Sequence, residues 1–142
     1  FKGRQSKYCT EKGAKIMNRL FLALILLLLC FSTAVFGFYS LEKSCLDLED
    51  TLKSAASLIE NDKRRNALKT LESVDAKWKK QRIIFNIFLD HTTLDTLDSS
   101  LPSLSKIFKS GDDEMTFEEI QKNIAVLEDI VEEQRISIGN IL

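Results

Sequence analysis

From Leu20 to Tyr39 the chain runs for twenty residues without a charged side chain. A helix rises about 1.5 Å per residue, so this stretch has a length of roughly 30 Å, the thickness of a bilayer's hydrocarbon core. A chain of 142 residues has too little protein elsewhere to bury a helix that is apolar on every face. The stretch therefore reads as a membrane segment. One form of that reading is a signal peptide, with Arg19 as its charged start, Leu20 to Phe31 as its core and Ser32-Thr33-Ala34 as a small-residue cleavage site. The other is a retained anchor that uses the whole length and sets Phe36, Phe38 and Tyr39 near the outer interface. The anchor is favoured, because apolar character continues past the small residues. A lipoprotein site at Cys30 is disfavoured by the bulky Leu29 before it.

Charge orients the segment. Residues 1 to 19 carry six Lys or Arg against one Glu, and a positive flank stays on the cytoplasmic side. The expected organisation is a basic cytoplasmic segment over 1–19, a transmembrane anchor over 20–39 and an extracytoplasmic helical domain over 40–142. Met17-Asn18-Arg19 reads like an initiation site, which makes residues 1–16 either an over-extended reading frame or a basic extension. The outer domain holds 14 basic and 20 acidic residues, a balance that argues against a nucleic-acid partner.

One Pro and five Gly leave few breaks, and the domain divides into helices by period. Leu41, Cys45, Leu48, Leu52, Ala55 and Ile59 form one apolar stripe on a helix continuous with the membrane segment. Asn61-Asp62 marks a turn. Ala67, Leu71, Val74, Trp78 and Phe85 form a second stripe, on a helix from about 63 to 89. The end of that helix, Ile83 to Leu89, is apolar nearly all round and is expected deep in the core. Thr92 and Asp95 resemble a capping box for a third helix, striped by Leu94, Leu97, Leu101, Leu104 and Phe108 and broken at Pro102. Lys109 to Asp113 is a loop. Thr116 and Glu119 predict a capping box for a fourth helix, striped by Ile120, Ile124, Leu127, Val131, Ile138 and Ile141. Short connections between neighbours predict an all-α fold, a transmembrane helix followed by an up-and-down antiparallel bundle.

Catalytic patterns are scarce. The cysteines Cys9, Cys30 and Cys45 have neither CxxC nor zinc spacing. Cys45 lies on an apolar stripe, which predicts buried packing, with an intermolecular disulfide as the alternative. There is no Gly-rich phosphate loop, no GxSxG elbow and no HExxH, and the single His91 has no matching nucleophile motif. No enzyme and no cofactor are expected. The one polar constellation is Asp90 to Asp98. On a helix His91 and Asp95 share a face with Asp98 nearby, a donor set suited to a divalent ion such as zinc. The simpler account is that Asp90 and Thr92 cap the helix and His91 bonds a neighbour. Charge is also sorted. The second helix carries eight Lys or Arg against Glu72 and Asp75, while residues 112–133 carry nine acids and only Lys122. Complementary faces within the bundle explain this most simply, with anionic lipid headgroups or cell-wall polymers as the functional alternative.

Trp78 in the second helix, Phe88-Leu89-Asp90-His91 followed by Leu94-Asp95, and the closing Ser137 to Leu142 carry a resemblance to a known family. From Met17 onward the chain resembles the bacterial domain-of-unknown-function family 4363 of clostridia and their relatives. Pro102 and the Gly111 loop depart from that family's pattern. The resemblance implies a small membrane-attached helical protein, supplies no activity, and singles out Trp78, Asp90, His91, Asp95 and Asn140. The expected function is a non-enzymatic, anchored interaction module of the cell envelope whose partner is another membrane or envelope protein or a second copy of itself. The alternative is an extracytoplasmic ligand- or metal-sensing domain using His91, Asp95 and Asp98.

Overall fold

The structure, a computed structural model, describes the backbone of residues 2–139 and the side-chain surroundings of residues 17–136. It divides into two units, residues 1–37 and 38–142. The first is the opening part of helix α1 (Lys2–Glu60). Its described side chains from Met17 through Phe36 are all exposed, and none of its most apolar window is buried. Length and composition make this helix a candidate membrane span.

The second unit is a bundle of the rest of α1 with α2 (Arg64–Phe88), α3 (His91–Ser100), α4 (Leu104–Ser110) and α5 (Asp113–Gly139), with a 3-10 turn at Leu101–Ser103 between α3 and α4. The order is up-down-up-down. Phe38 of α1 stacks near Phe88 of α2 while Asp47 bonds Lys77 and Gln81, so the partner number falls as the α1 number rises. Arg82 reaches Asp98 and Glu72 reaches Lys109, which sets α3 and α4 antiparallel to α2. Glu42 pairs with Arg135 and Lys53 reaches Glu128, which closes α5 back on α1.

The stripes meet as their spacing predicts. Leu41, Cys45, Leu48, Leu52 and Ala55 of α1, Ala67, Leu71, Val74, Trp78 and Phe85 of α2, Leu94 and Leu97 of α3, and Leu101, Leu104 and Phe108 beyond it are buried together with Ile120, Ile124, Leu127 and Ile130 of α5. Ile59 and Val131 pack at the margin. Ile138 and Ile141 lie outside the residues whose side chains are described. Pro102 has no N–H to give a helical carbonyl, and the chain tightens there into the 3-10 turn without losing its inward stripe.

Three expectations are corrected. The end of α2 is not buried all round: Phe85 is, Ile84, Phe88 and Leu89 are half-buried, but Ile83 and Ile87 are 74% and 69% exposed. Trp78 and Phe85, two turns apart, fix the inward side, and positions 83 and 87 fall opposite it. Helix α3 is capped by Asp90, as the simpler account of that stretch expects, its carboxylate accepting the Thr93 N–H at 2.9 Å, and the Thr92–Asp95 box does not form. Helix α5 begins at Asp113, three residues before the predicted box. Asp112 Oδ1 accepts the Met115 N–H at 2.9 Å, while the buried Thr116 hydroxyl donates back to the Asp112 carbonyl at 2.6 Å. Asp outcompetes Thr as a cap in both places.

Two turns close the far end of the bundle. After α1, Asp62 takes φ +54°, Lys63 N–H donates to Leu58 O and Asp62 N–H to Ile59 O, a left-handed helix stop at one of the few residue types that tolerate it. Helix α4 stops at Gly111, with φ +92° and nothing within 4 Å of where a Cβ would stand. Arg64 fastens this end: its guanidinium lies 4.6 Å from the Phe108 ring centroid, donates to the Phe108 carbonyl at 3.1 Å and grips both carboxylate oxygens of Asp113 at 2.8 Å. In chemical denaturation of the full chain in detergent micelles, Leu97→Ala is expected to lose about 2–5 kcal/mol. Gly111→Ala is expected to lose about 1–2 kcal/mol through backbone strain alone. Ile83→Ala should fall within about 0.5 kcal/mol of the parent, and equal losses at positions 83 and 97 would refute the assigned faces.

Candidate functional site

Trp78 is buried at the α2–α3 seam, 1% exposed, with its ring 5.0 Å from that of Phe85 and tilted by 60°. A buried indole N–H requires an acceptor, and Asp98 Oδ1 supplies it at 2.8 Å. The same carboxylate takes Arg82 in a two-pronged grip, from Nε at 2.8 Å and from Nη2 at 2.7 Å. Arg82 foremost, then Trp78, holds the Asp98 carboxyl below the usual carboxylate range against the opposing effect of burial. The trio fixes the register of α3 on α2.

The other family-motif positions occupy the neighbouring turn. Asp90 is the helix cap: Oδ1 accepts the Thr93 N–H and Oδ2 the Thr93 hydroxyl, each at 2.9 Å, and these bonds lower its pKa. His91 opens α3 on the surface, and Asp95 stands exposed one turn later. Asp98, the third member of the suggested ion-binding set, is turned away to Arg82 and Trp78. Among the described residues no group of three His, Cys, Asp or Glu side chains is assembled to hold a metal ion. Asn140 lies outside the described residues. Cys45 is fully buried, its thiol pushed up to about 12 by burial and by the nearby carboxylates Glu49 and Glu42.

A second polar cluster, not singled out by any motif, joins α1 to α2. Lys77 Nζ donates to Asp47 Oδ1 at 2.6 Å and to Thr51 Oγ1 at 2.8 Å, and Gln81 Nε2 donates to Asp47 Oδ2 at 3.1 Å. Lys77 first, and Gln81 after it, lower the Asp47 pKa. Asn123, 2% exposed, accepts the Ser100 hydroxyl and donates to the Glu119 carbonyl, tying α3 to α5. Local spacing in the sequence does not identify these partners, because each pair joins two helices. The sorted charges therefore serve cohesion in good part: Arg64, Lys77 and Arg82 of α2 each pair with another helix. At the Phe38 end the bundle's surface mixes exposed polar residues, Lys43, Asn86, Asp90 and His91 among them, with large apolar ones. Tyr39, Ile83, Ile87 and Ile136 are all exposed there.

A family model described as "Domain of unknown function (DUF4363)" matches residues 35–141, and the chain belongs to that family. The match takes in the whole bundle and starts later than the Met17 from which the resemblance runs. No curated protein and no solved structure matches the chain.

Two outcomes check the seam. Asp98→Ala leaves the Trp78 N–H buried without an acceptor and should cost about 1–3 kcal/mol in urea unfolding, with Asp98→Asn, which retains an acceptor, costing less. Because folding lowers the pKa of Asp98 and Asp47, their stabilisation is complete above the ordinary carboxylate range and is lost as pH falls through the lowered values. Asp98→Asn should flatten this acid limb, and an unaltered pH profile would count against the Arg82 pairing. In thiol labelling, Cys45 should react with a maleimide only after denaturant is added.

Proposed function

We propose that this member of the family is a membrane-anchored, non-enzymatic interaction module. Its helical bundle lies outside the cytoplasm and docks on another envelope protein or on a second copy of the chain. The carrying observation is the uncharged stretch of α1: none of its most apolar window is buried by the chain's own described residues, and it precedes a bundle with its own core. Apolar surface on that scale is taken out of water by lipid or by another protein. Twenty uncharged residues match the bilayer's thickness. The six-to-one excess of basic over acidic residues before the stretch favours a cytoplasmic amino-terminal side.

The polar groups of the bundle support a binding role over catalysis. Asp98, Asp47 and Asn123 are committed to bonds between helices, and the single His91 is on the surface beside a capping carboxylate. A tethered, rigid helical surface suits recognition of a neighbour held in the same membrane, where confinement raises effective concentration.

The expected result is that the full chain stays with membranes through an alkaline carbonate wash. Protease added outside intact, wall-stripped cells should then digest the bundle. Crosslinking in native membranes followed by mass spectrometry should yield a defined heteromeric or homomeric adduct. A freely soluble chain removes the anchor, protection of the bundle reverses the orientation, and uncrosslinked monomer alone removes the docking role.

A further inference from the structure

Of the six exposed large apolar side chains among the bundle's described residues, Tyr39, Ile83, Ile87 and Ile136 gather toward one end, while Leu46 lies further along α1 and Met115 at the opposite end. On α2, Ile83 and Ile87 form an i, i+4 ridge on the side opposite Trp78 and Phe85. Ile136 is exposed on α5 and Tyr39 on α1. These belong to three helices but to one level. The Phe38 and Phe88 rings lie 5.2 Å apart, which brings the end of α2 beside the start of the bundle's first helix. Arg135 Nη2 meets Glu42 at 2.6 Å, which brings Ile136 to the same end. With a rise of about 1.5 Å per residue, Ile83 stands about 7 Å along α2 from Phe88, and Glu42 about 6 Å along α1 from Phe38. Exposed charged side chains of α2 and α5 occur at both levels, Arg65, Lys69, Glu128 and Asp129 farther along and Arg82, Glu132 and Glu133 near the apolar residues. Exposed Lys43, Lys80, Asn86, Asp90 and His91 share or flank the apolar level, where the headgroup layer can take polar groups.

Phe38 and Tyr39 belong at once to this bundle and to the uncharged stretch. Covalent continuity alone puts the apolar level where that stretch ends. Helices lying in a membrane interface sink their apolar faces about 5–10 Å into the headgroup–acyl boundary, a depth that matches the spread of these residues. Tyr is suited to that boundary, with an apolar ring and a polar tip, and lysines there lay their stems along apolar surface while the ammonium stays in water. Apolar residues spread over three helices at one height present a surface that a planar lipid interface can meet at once. We propose that the Phe38 end of the bundle is a lipid-contacting rim. In it Tyr39, Ile83, Ile87 and Ile136 enter the interfacial layer of the bilayer that receives the uncharged stretch. The rim rests on the membrane reading above and adds to it the surface of the bundle that faces lipid.

The test uses the full chain, with Cys9 and Cys30 replaced by Ala and the buried Cys45 retained, in vesicles of phosphatidylethanolamine and phosphatidylglycerol. Spin labels are attached at Ile83→Cys, Ile87→Cys, Ile136→Cys and, at the opposite end, Met115→Cys. All four side chains are exposed, so the substitutions leave the core intact, and circular dichroism verifies the helix content of each. Power-saturation spectroscopy then compares collisions with oxygen, which concentrates in lipid, and with a water-soluble nickel chelate. Higher oxygen than nickel collision at 83, 87 and 136, with the reverse at 115, supports the rim. Nickel-dominated collision at all four positions in chains that float with the vesicles overturns the rim and leaves the anchor standing. Immobile labels shielded from both reagents place a protein surface there and overturn the rim as well. Chains that do not float with the vesicles overturn the membrane reading itself.

Discussion

Apolar surface that a chain cannot cover from its own residues must be removed from water by something else, and α1 presents such a surface over its uncharged stretch. The side chains from Met17 to Phe36 stand exposed on every side of the helix. A soluble bundle shields one stripe per helix, as the stripe from Leu41 to Ala55 is shielded further along the same α1. The contrast within one helix separates the two parts of the molecule more sharply than any break in backbone does. Orientation, address and the kind of neighbour available to the bundle follow from where the uncovered part is placed.

Within the bundle, apolar burial supplies the driving force and a few polar pairs select the arrangement. Helix α2 is the hub: Lys77 and Gln81 reach α1, Trp78 and Arg82 reach α3, and Arg64 reaches the α4–α5 turn. Stripes of Leu and Ile tolerate sliding by a turn, since one methyl-rich surface resembles the next. A tryptophan N–H aimed at one carboxylate does not, because a slip would strand the donor and the acid together. Two of the residues named from the resemblance thus have structural work: Trp78 in the register of α3, Asp90 in its start.

Much of the fold was legible because it rests on period. Every apolar position assigned from Leu41 to Leu127 is buried or packs at the core's margin, except at the end of α2. There the run Ile83 to Leu89 lost its periodic signal, since apolar residues occupied both faces and composition could not say which face was inward. Only the phase carried from Trp78 through Phe85 separates them. The helix starts were misplaced for a different reason. Thr92 with Asp95 and Thr116 with Glu119 have the spacing of capping boxes, but an aspartate stands upstream of each and captures the free amides first. The grouping of His91, Asp95 and Asp98 was sound as helical geometry on α3. In the structure Asp98 is bonded to Arg82 and Trp78 on another helix, so the three side chains are not gathered together. Such cross-helix partners cannot be read from local spacing, and the Asp47–Lys77–Gln81 cluster went unnoticed for the same reason.

The pairing of Glu42 with Arg135 joins positions 93 residues apart, against 30 for Asp47 with Lys77. Loop-closure entropy grows only logarithmically, so the longer closure is about 1 kcal/mol more costly than the shorter one. The difference is one of order more than of stability. The hairpin of α1 and α2 has all its residues early in synthesis, whereas the seam between α1 and α5 waits for the chain to extend past Arg135. Until then the flank of α1 around Glu42 and Glu49 has no α5 beside it, and the nascent bundle of α1 to α4 stays open on that side.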